Sequence, residues 1–164
     1  LQAGVVEMKN EIVDVGAIAR EVVSQFDVLR VRDGYVFETD IEQGLLVICD
    51  RKRLTQVVYN LVGNAINYVG DDRKVVVRVF GDNGKAKVEI SDHGKGIPLD
   101  EIDKVWERYY RSNRQNRNVV GSGIGLSIVK NVLISFNAEY GIISHEGEGT
   151  TFWFALPLDK ADEK

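Results

Sequence analysis

Residues 74–80 (KVVVRVF) and 85–91 (KAKVEIS) read as two β-strands, and Gly81-Asp82-Asn83-Gly84 between them are residue types that close hairpins. The same pairing is suggested for two short β-type runs upstream, 34–39 and 45–49, and for two more near 140–145 and 150–156. Helical segments separate the pairs. Asp14 is placed to cap a helix in which Ile18, Val22 and Phe26 recur at four-residue spacing. Asp50 is placed to cap a long helix reaching about Val69, with Leu54, Val57, Val58, Leu61, Ala65 and Tyr68 as its apolar stripe. Pro98 starts a short helix over 98–110, and another runs from the glycines at 121–125 to about Asn137. Residues 1–10 read as the end of a helix, 111–120 as a polar loop carrying three arginines and no acid, and 159–164 as a frayed tail. Paired strands with interspersed helices predict an α/β (α+β) two-layer sandwich: a mixed, mostly antiparallel sheet with helices on one face.

The 164 residues fit one domain, and 44% apolar with 28% charged residues is ordinary for a globular chain. A net charge of −4 gives no reason to expect nucleic acid as a partner. The single cysteine, Cys49, cannot form an intrachain disulfide, and no Cys/His cluster suggests zinc. No apolar run approaches the length of a membrane span.

Three clusters carry chemistry. Asn60, Asn64 and Asn67 fall within roughly 60° of one another on the long helix, because each residue turns it by about 100°. Asparagine is a mediocre helix former, so three in register beside the buried stripe ask for a reason. An amide can ligate a hard cation through its oxygen while its NH2 donates to a phosphate. The second cluster is Asp92-His93-Gly94-Lys95-Gly96-Ile97 at the end of a strand. A carboxylate there can accept from an exocyclic amine such as that of adenine, and the glycines allow a sharp turn and close approach to a flat ring. The third is Gly121-Ser122-Gly123-Ile124-Gly125-Leu126, leading into a helix whose free amides and dipole suit phosphate. It is not a dinucleotide fingerprint, since Leu126 stands where the last glycine belongs, and the chain has no Gly-Lys-Ser/Thr P-loop.

Taken in order, these residues resemble the catalytic domain of sensor histidine kinases, within the ATPase superfamily of gyrase, MutL and the heat-shock chaperones (the Bergerat fold). Asn60-Leu-Val-Gly-Asn64-Ala-Ile-Asn67-Tyr68 resembles the N box, Asp92-His-Gly-Lys-Gly96 the G1 box, and Val105-Trp106-Glu107-Arg108-Tyr109-Tyr110-Arg111 the F box. Gly121-Ser-Gly-Ile-Gly125-Leu-Ser-Ile-Val-Lys130 resembles the G2 box, and Gly147-Glu-Gly149-Thr150-Thr-Phe152 the last glycine box. Any one box is weak evidence, but the ordered set covers roughly residues 50–156.

The resemblance implies ATP and Mg2+ as ligands. It implies Asn64 as a magnesium ligand, with Asn60 one turn away on the metal or a phosphate. Asp92 would read the adenine amine, with Gly94, Gly96 and Ile97 shaping the approach and Thr150 in support, and Asn67 and Tyr68 would be further nucleotide-binding positions. The segment Gly121, Ser122, Gly123, Ile124, Gly125 and Leu126 would form the hinge of a lid over the phosphates. Arg108 and Arg111 would steady the transferred group, with Arg114 and Arg117 as further candidates. Hydrolysing relatives carry a glutamate base where Asn60 stands, so a transferase is implied. Three departures stand out: Asn67 stands where lysine is frequent, Trp106 and Tyr109 replace phenylalanines while keeping an aromatic anchor for the lid, and, most consequential, there is no phosphoacceptor box.

The chain has two histidines. Ser144-His145-Glu146 imitates the start of an acceptor motif, but Gly-Glu-Gly follows it, so His145 reads as a decoy and His93 as a surface or structural residue. The acceptor histidine is expected upstream of Leu1, with residues 1–10 as the tail of a dimerisation hairpin and 11–158 as the catalytic domain. The resemblance further implies a homodimeric parent with a response regulator as partner, this piece alone being monomeric. It implies a cytoplasmic domain whose parent is a candidate for membrane anchoring. The competing readings are an anti-sigma-factor-like serine kinase and a degenerate nucleotide-binding regulatory module, with a gyrase-like hydrolase last.

Overall fold

The computed structural model describes residues 8–107 and 125–159. The long helix α3 (Arg51–Tyr68) organises it. Asp50 caps this helix by accepting from Arg53 N–H at 3.2 Å, and its other oxygen accepts from Lys9 N–H at 3.0 Å. The Lys9 hydrogen bond is the leading cause of a carboxyl held below the usual aspartate range. Leu54, Val57, Val58, Leu61 and Ala65 form the buried stripe.

α3 packs on a five-stranded sheet in the order β2 (Val36–Ile41), β4 (Lys74–Asp82), β5 (Lys85–Asp92), β7 (Gly149–Pro157) and β6 (Glu139–His145). The β4–β5, β5–β7 and β6–β7 pairs are antiparallel, whereas β2 runs parallel to β4. Val75, Val77 and Val79 of β4, Ala86, Val88 and Ile90 of β5, and Phe152, Phe154 and Leu156 of β7 face the core. α1 (Val15–Gln25), α3 and α4 (Gly125–Ser135) supply its other side through Ile18, Val22, Val129, Val132 and Leu133. The sheet-and-helix sandwich expected from the sequence is therefore present. Its hairpin turns at Asn83-Gly84, where φ values of 51° and 76° match the type I′ turn favoured by strand twist.

Several local expectations are corrected. The runs near 34–39 and 45–49 do not pair with each other. β3 (Leu46–Asp50) pairs with β1 (Asn10–Asp14), a strand that the sequence reading placed partly in a helical tail. This two-stranded sheet alternates only weakly, because Ile12 and Ile48 face outward in register, 56% and 57% exposed. α1 ends at Gln25, with Phe26 as its C-cap, and a further short helix, α2 (Asp27–Asp33), follows. The segment begun by Pro98 is two 3-10 turns, Leu99–Glu101 and Lys104–Trp106, rather than one helix. α4 stops at Ser135 because Asn137 adopts φ 55°, with Asn137 N–H on Ile134 O and Ala138 N–H on Leu133 O, a Schellman-type ending. Asp159, assigned to the frayed tail, donates its N–H to Leu46 O at 2.8 Å. Residues 1–7, 108–124 and 160–164, with the expectations made for them, lie outside the described residues.

Asp50 joins the α3 N-terminus to the start of β1. Replacing it with alanine should cost about 1–2 kcal/mol, at the upper end for a cap because the Lys9 amide loses its acceptor as well. Urea denaturation of Asp50→Ala checks this.

Candidate functional site

The alternation of β5 generates the site. Ala86, Val88 and Ile90 point into the core, and the next inward position is Asp92, 3% exposed. In the sheet register Asp92 stands opposite Thr150 of β7, and Thr150 stands opposite Ser144 of β6. This row of polar side chains is linked: Ser144 Oγ lies 2.8 Å from Thr150 Oγ1, and Ser144 Oγ accepts Ile97 N–H at 2.7 Å. Thr150 itself is 4% exposed. Ser144 thus ties the chain after Gly96 to the final strands. The sequence reading missed this role, because nothing local to Ser144 signals which backbone amide crosses β6.

Burial, the largest influence, pushes the Asp92 carboxyl up to about 7, against the pull of the Gly94 and Thr150 backbone N–H groups and of nearby His93. Gly94 N–H donates to Asp92 Oδ1 at 2.9 Å. Gly94 also presses on the carbonyl of Tyr68 at the end of α3, so closely that any Cβ would overlap it. That contact brings the Asn67–Tyr68 end of α3 against the turn after β5. Gly96 has φ 78°, a left-handed conformation that L side chains avoid, and its backbone packs on His145 O. Ile97 is 2% exposed and anchors the turn in the core.

On α3, Asn60 and Asn64 are half-buried, and Asn67 is 3% exposed. The start of α4 comes down on this face: a Cβ on Gly125 would lie 3.5 Å from Asn60 Cγ. Among the described residues, Asn64 Nδ2 is a buried side-chain donor with no hydrogen-bond partner. An unspent buried donor normally costs stability, so the site suits a ligand that accepts. No group of three or more His, Cys, Asp and Glu side chains capable of holding a metal occurs among the described residues. Amides alone suit a hard ion that arrives with phosphate oxygens as most of its shell. The residues present are compatible with magnesium on those terms.

The structure therefore brings Asp92, Gly94, Gly96, Ile97 and Thr150 together at one end of the sheet. It brings Tyr68 to Gly94 and Gly125 to Asn60, while Leu126 is half-buried against the core. Arg108, Arg111, Gly121, Ser122, Gly123 and Ile124 lie outside the described residues, as do Tyr109, Arg114 and Arg117. Trp106 makes edge contacts with Tyr140 and Phe152, centroids 5.4 and 5.6 Å apart. His145 closes β6 and is exposed, in a strand rather than on an acceptor helix. A separate cavity of about 720 Å³ lies at the N-terminal end of α3, between Lys9, Asp50, Arg53, Gln56 and Tyr59. None of Asn60, Asn64, Asp92 and Thr150 lines it.

Comparison with known proteins defines the class. Residues 49–160 match the family described as histidine kinase-, DNA gyrase B-, and HSP90-like ATPase. The chain belongs to that family and, within it, to the sensor histidine kinases. It is 30% identical to the mycobacterial sensor histidine kinase MprB, whose structure superposes with a TM-score of 0.76 over 92% of this chain and 98% of that one. It is 32% identical over 148 residues to the sensor-like histidine kinase SenX3 of Mycolicibacterium smegmatis, covering 90% of this chain and 38% of that protein. Full-length ShkA, solved in complex with AMPPNP, shares the fold at TM-score 0.80 and 22% identity, over 95% of this chain and 32% of that one. The chain thus spans well under half of the full-length relatives. No described helix is long and apolar enough to cross a membrane.

The raised Asp92 carboxyl has a stability consequence. Between its ordinary value of 3.8 and about 7 the native state holds a proton that the unfolded chain has released. The group's contribution is complete below 3.8 and is lost as pH rises through about 7. The stability of Asp92→Asn relative to the native sequence should therefore increase across that window and level off above it. Urea denaturation of both proteins at a series of pH values measures the difference, and one that does not change with pH would contradict the assignment.

Proposed function

We propose that this chain is the ATP-binding catalytic domain of a two-component sensor histidine kinase. It passes the γ-phosphoryl group of ATP to a histidine on a separate dimerisation domain of the same protein, from which a response regulator is charged. The observation that carries this reading is Asp92: a buried carboxyl at an inward strand position, leading into a turn whose glycines let it pack closely on the backbone of Tyr68 and His145. In this reading its free acceptor capacity takes the exocyclic amine of adenine, and the backbone N–H groups of Gly94 and Thr150 hold the carboxyl in place. ATP fits the ATPase family to which the chain belongs, and AMPPNP is the ligand in the ShkA complex.

The N-box amides serve the phosphates. Asn64 and Asn60 would hold Mg2+, which supplies charge neutralisation to the phosphate oxygens when bound. The orphaned Asn64 Nδ2 donates to a phosphate oxygen in this reading. Asn60 cannot take a proton from water near neutral pH, as the glutamate of hydrolysing relatives does, so the γ-phosphoryl group is kept for the imidazole. In the transfer, the bond from γ-phosphorus to the bridging oxygen breaks, a phosphorus–nitrogen bond forms on the acceptor imidazole, and ADP leaves. Arg108 and Arg111 are assigned to the developing charge, and the glycines at 121, 123 and 125 to the hinge of the lid. The catalytic unit begins with β1, and the segment before it leads to the acceptor domain. The parent acts as a homodimer, its catalytic domain on the cytoplasmic side.

The test is phosphorylation in the parent protein carrying its own acceptor. The product should be labile in acid and stable in base, as a phosphoramidate is. Asn64→Ala should slow its formation by roughly a hundredfold or more. An acid-stable phosphoester would overturn the histidine assignment, and an undiminished rate in the variant would overturn the role of Asn64.

A further inference from the structure

His93 stands between Asp92 and Gly94, and its side chain does not point to solvent alone. Its Nδ1 lies 2.6 Å from Asp72 Oδ2, in the connection between α3 and β4. Asp72 is fixed in turn, since its Oδ1 accepts Lys74 N–H at 3.0 Å. The Asp72 carboxyl lies below its ordinary range: burial opposes ionisation, but the hydrogen bonds from His93 and Lys74 outweigh it. An ionised Asp72 can only accept, so Nδ1 carries the proton.

The backbone repeats the connection on either side. Gly70 packs on the carbonyl of His93, and Gly94 packs on the carbonyl of Tyr68. The segment Asp92-His93-Gly94 is therefore laid against the 68–72 segment by two close backbone contacts and one charged side-chain bond. The carboxyl of Asp92 hangs from this segment, held by Gly94 N–H at 2.9 Å. A shift of the segment away from residues 68–72 carries that amide, and with it the orientation of the carboxyl.

We propose that His93 is a positioning residue for adenine recognition: by pairing with Asp72 it latches the turn after β5 to the end of α3 and sets the Asp92 carboxyl toward the exocyclic amine. This rests on the reading of Asp92 as the adenine acceptor. The two side chains are 50% and 40% exposed, so the pair contributes little to global stability. Its effect is local, on the geometry of one hydrogen bond.

The experiment compares ATP with purine riboside triphosphate, which lacks the exocyclic amine, by calorimetric binding to the folded chain. The native protein should prefer ATP at least about tenfold, as a buried acceptor left unpaired by the analogue requires. His93→Ala should keep its thermal stability, lose about threefold to tenfold in ATP affinity and bind the analogue unchanged, so that the preference collapses. His93→Asn should restore the preference, since the asparagine amide can place an N–H near the position of Nδ1. Equal affinities for the two nucleotides in the native protein would overturn the Asp92 reading itself. A native preference that survives in His93→Ala, or a variant weakened equally toward both nucleotides, would overturn the latch while leaving Asp92 in its role.

Discussion

The inward row of β5 runs Ala86, Val88, Ile90 and then Asp92, and the site depends on that last position being a carboxyl inside the core layer. A buried carboxyl has to be accounted for by its surroundings. Gly94 supplies a backbone donor, β7 supplies Thr150 in register, and Ser144 of β6 completes the row by bonding both Thr150 and the Ile97 amide. These partners come from two strands and one turn, so the position of Asp92 depends on the sheet and not on its own strand alone. The same residue interrupts the apolar core where the sheet meets the end of α3. Burial that opposes the charge and donors that favour it leave the carboxyl poised near neutrality, ready for a further donor.

α3 is the second fixed element. Its N-terminus is tied to β1 through Asp50, its middle is buried in the core, and its C-terminal half carries Asn60, Asn64 and Asn67. One helix thus connects the two ends of the candidate site. Gly125 at the start of α4 rests on Asn60, and Gly94 rests on Tyr68. The first contact brings the start of α4 to the amide face of α3. The second presses the turn after Asp92 to the same helix about two turns further on. In the proposed reading fold and site are therefore not separable: the packing of α3 would also set the spacing between the adenine acceptor and the phosphate donors.

The main elements were legible because they rest on local signals: Asp14 and Asp50 as caps, the stripe of α3, the Asn83-Gly84 turn and the glycine boxes. Asp92 stood out because it is a carboxylate at the end of a strand followed by His-Gly-Lys-Gly. Pairing partners were not. β1 is five residues with one buried side chain, Val13, and its role follows only from β3 lying beside it. β2 is parallel to β4 across an intervening strand and helix, which no turn signal can announce. Ser144 and Asp72 contribute through partners 47 and 21 residues away, so their functions exist only in the folded register. His93 was read as a surface or structural residue, and its exposure agrees with that. Only the position of Asp72 reveals what it holds.

The central claim is that the α3 amides and Asp92 form one nucleotide site. Calorimetric titration of this chain with a non-hydrolysable ATP analogue, with and without magnesium, tests it most directly. The account predicts saturable binding at one site per chain, strengthened by magnesium. A folded sample that takes up no nucleotide under either condition would contradict it.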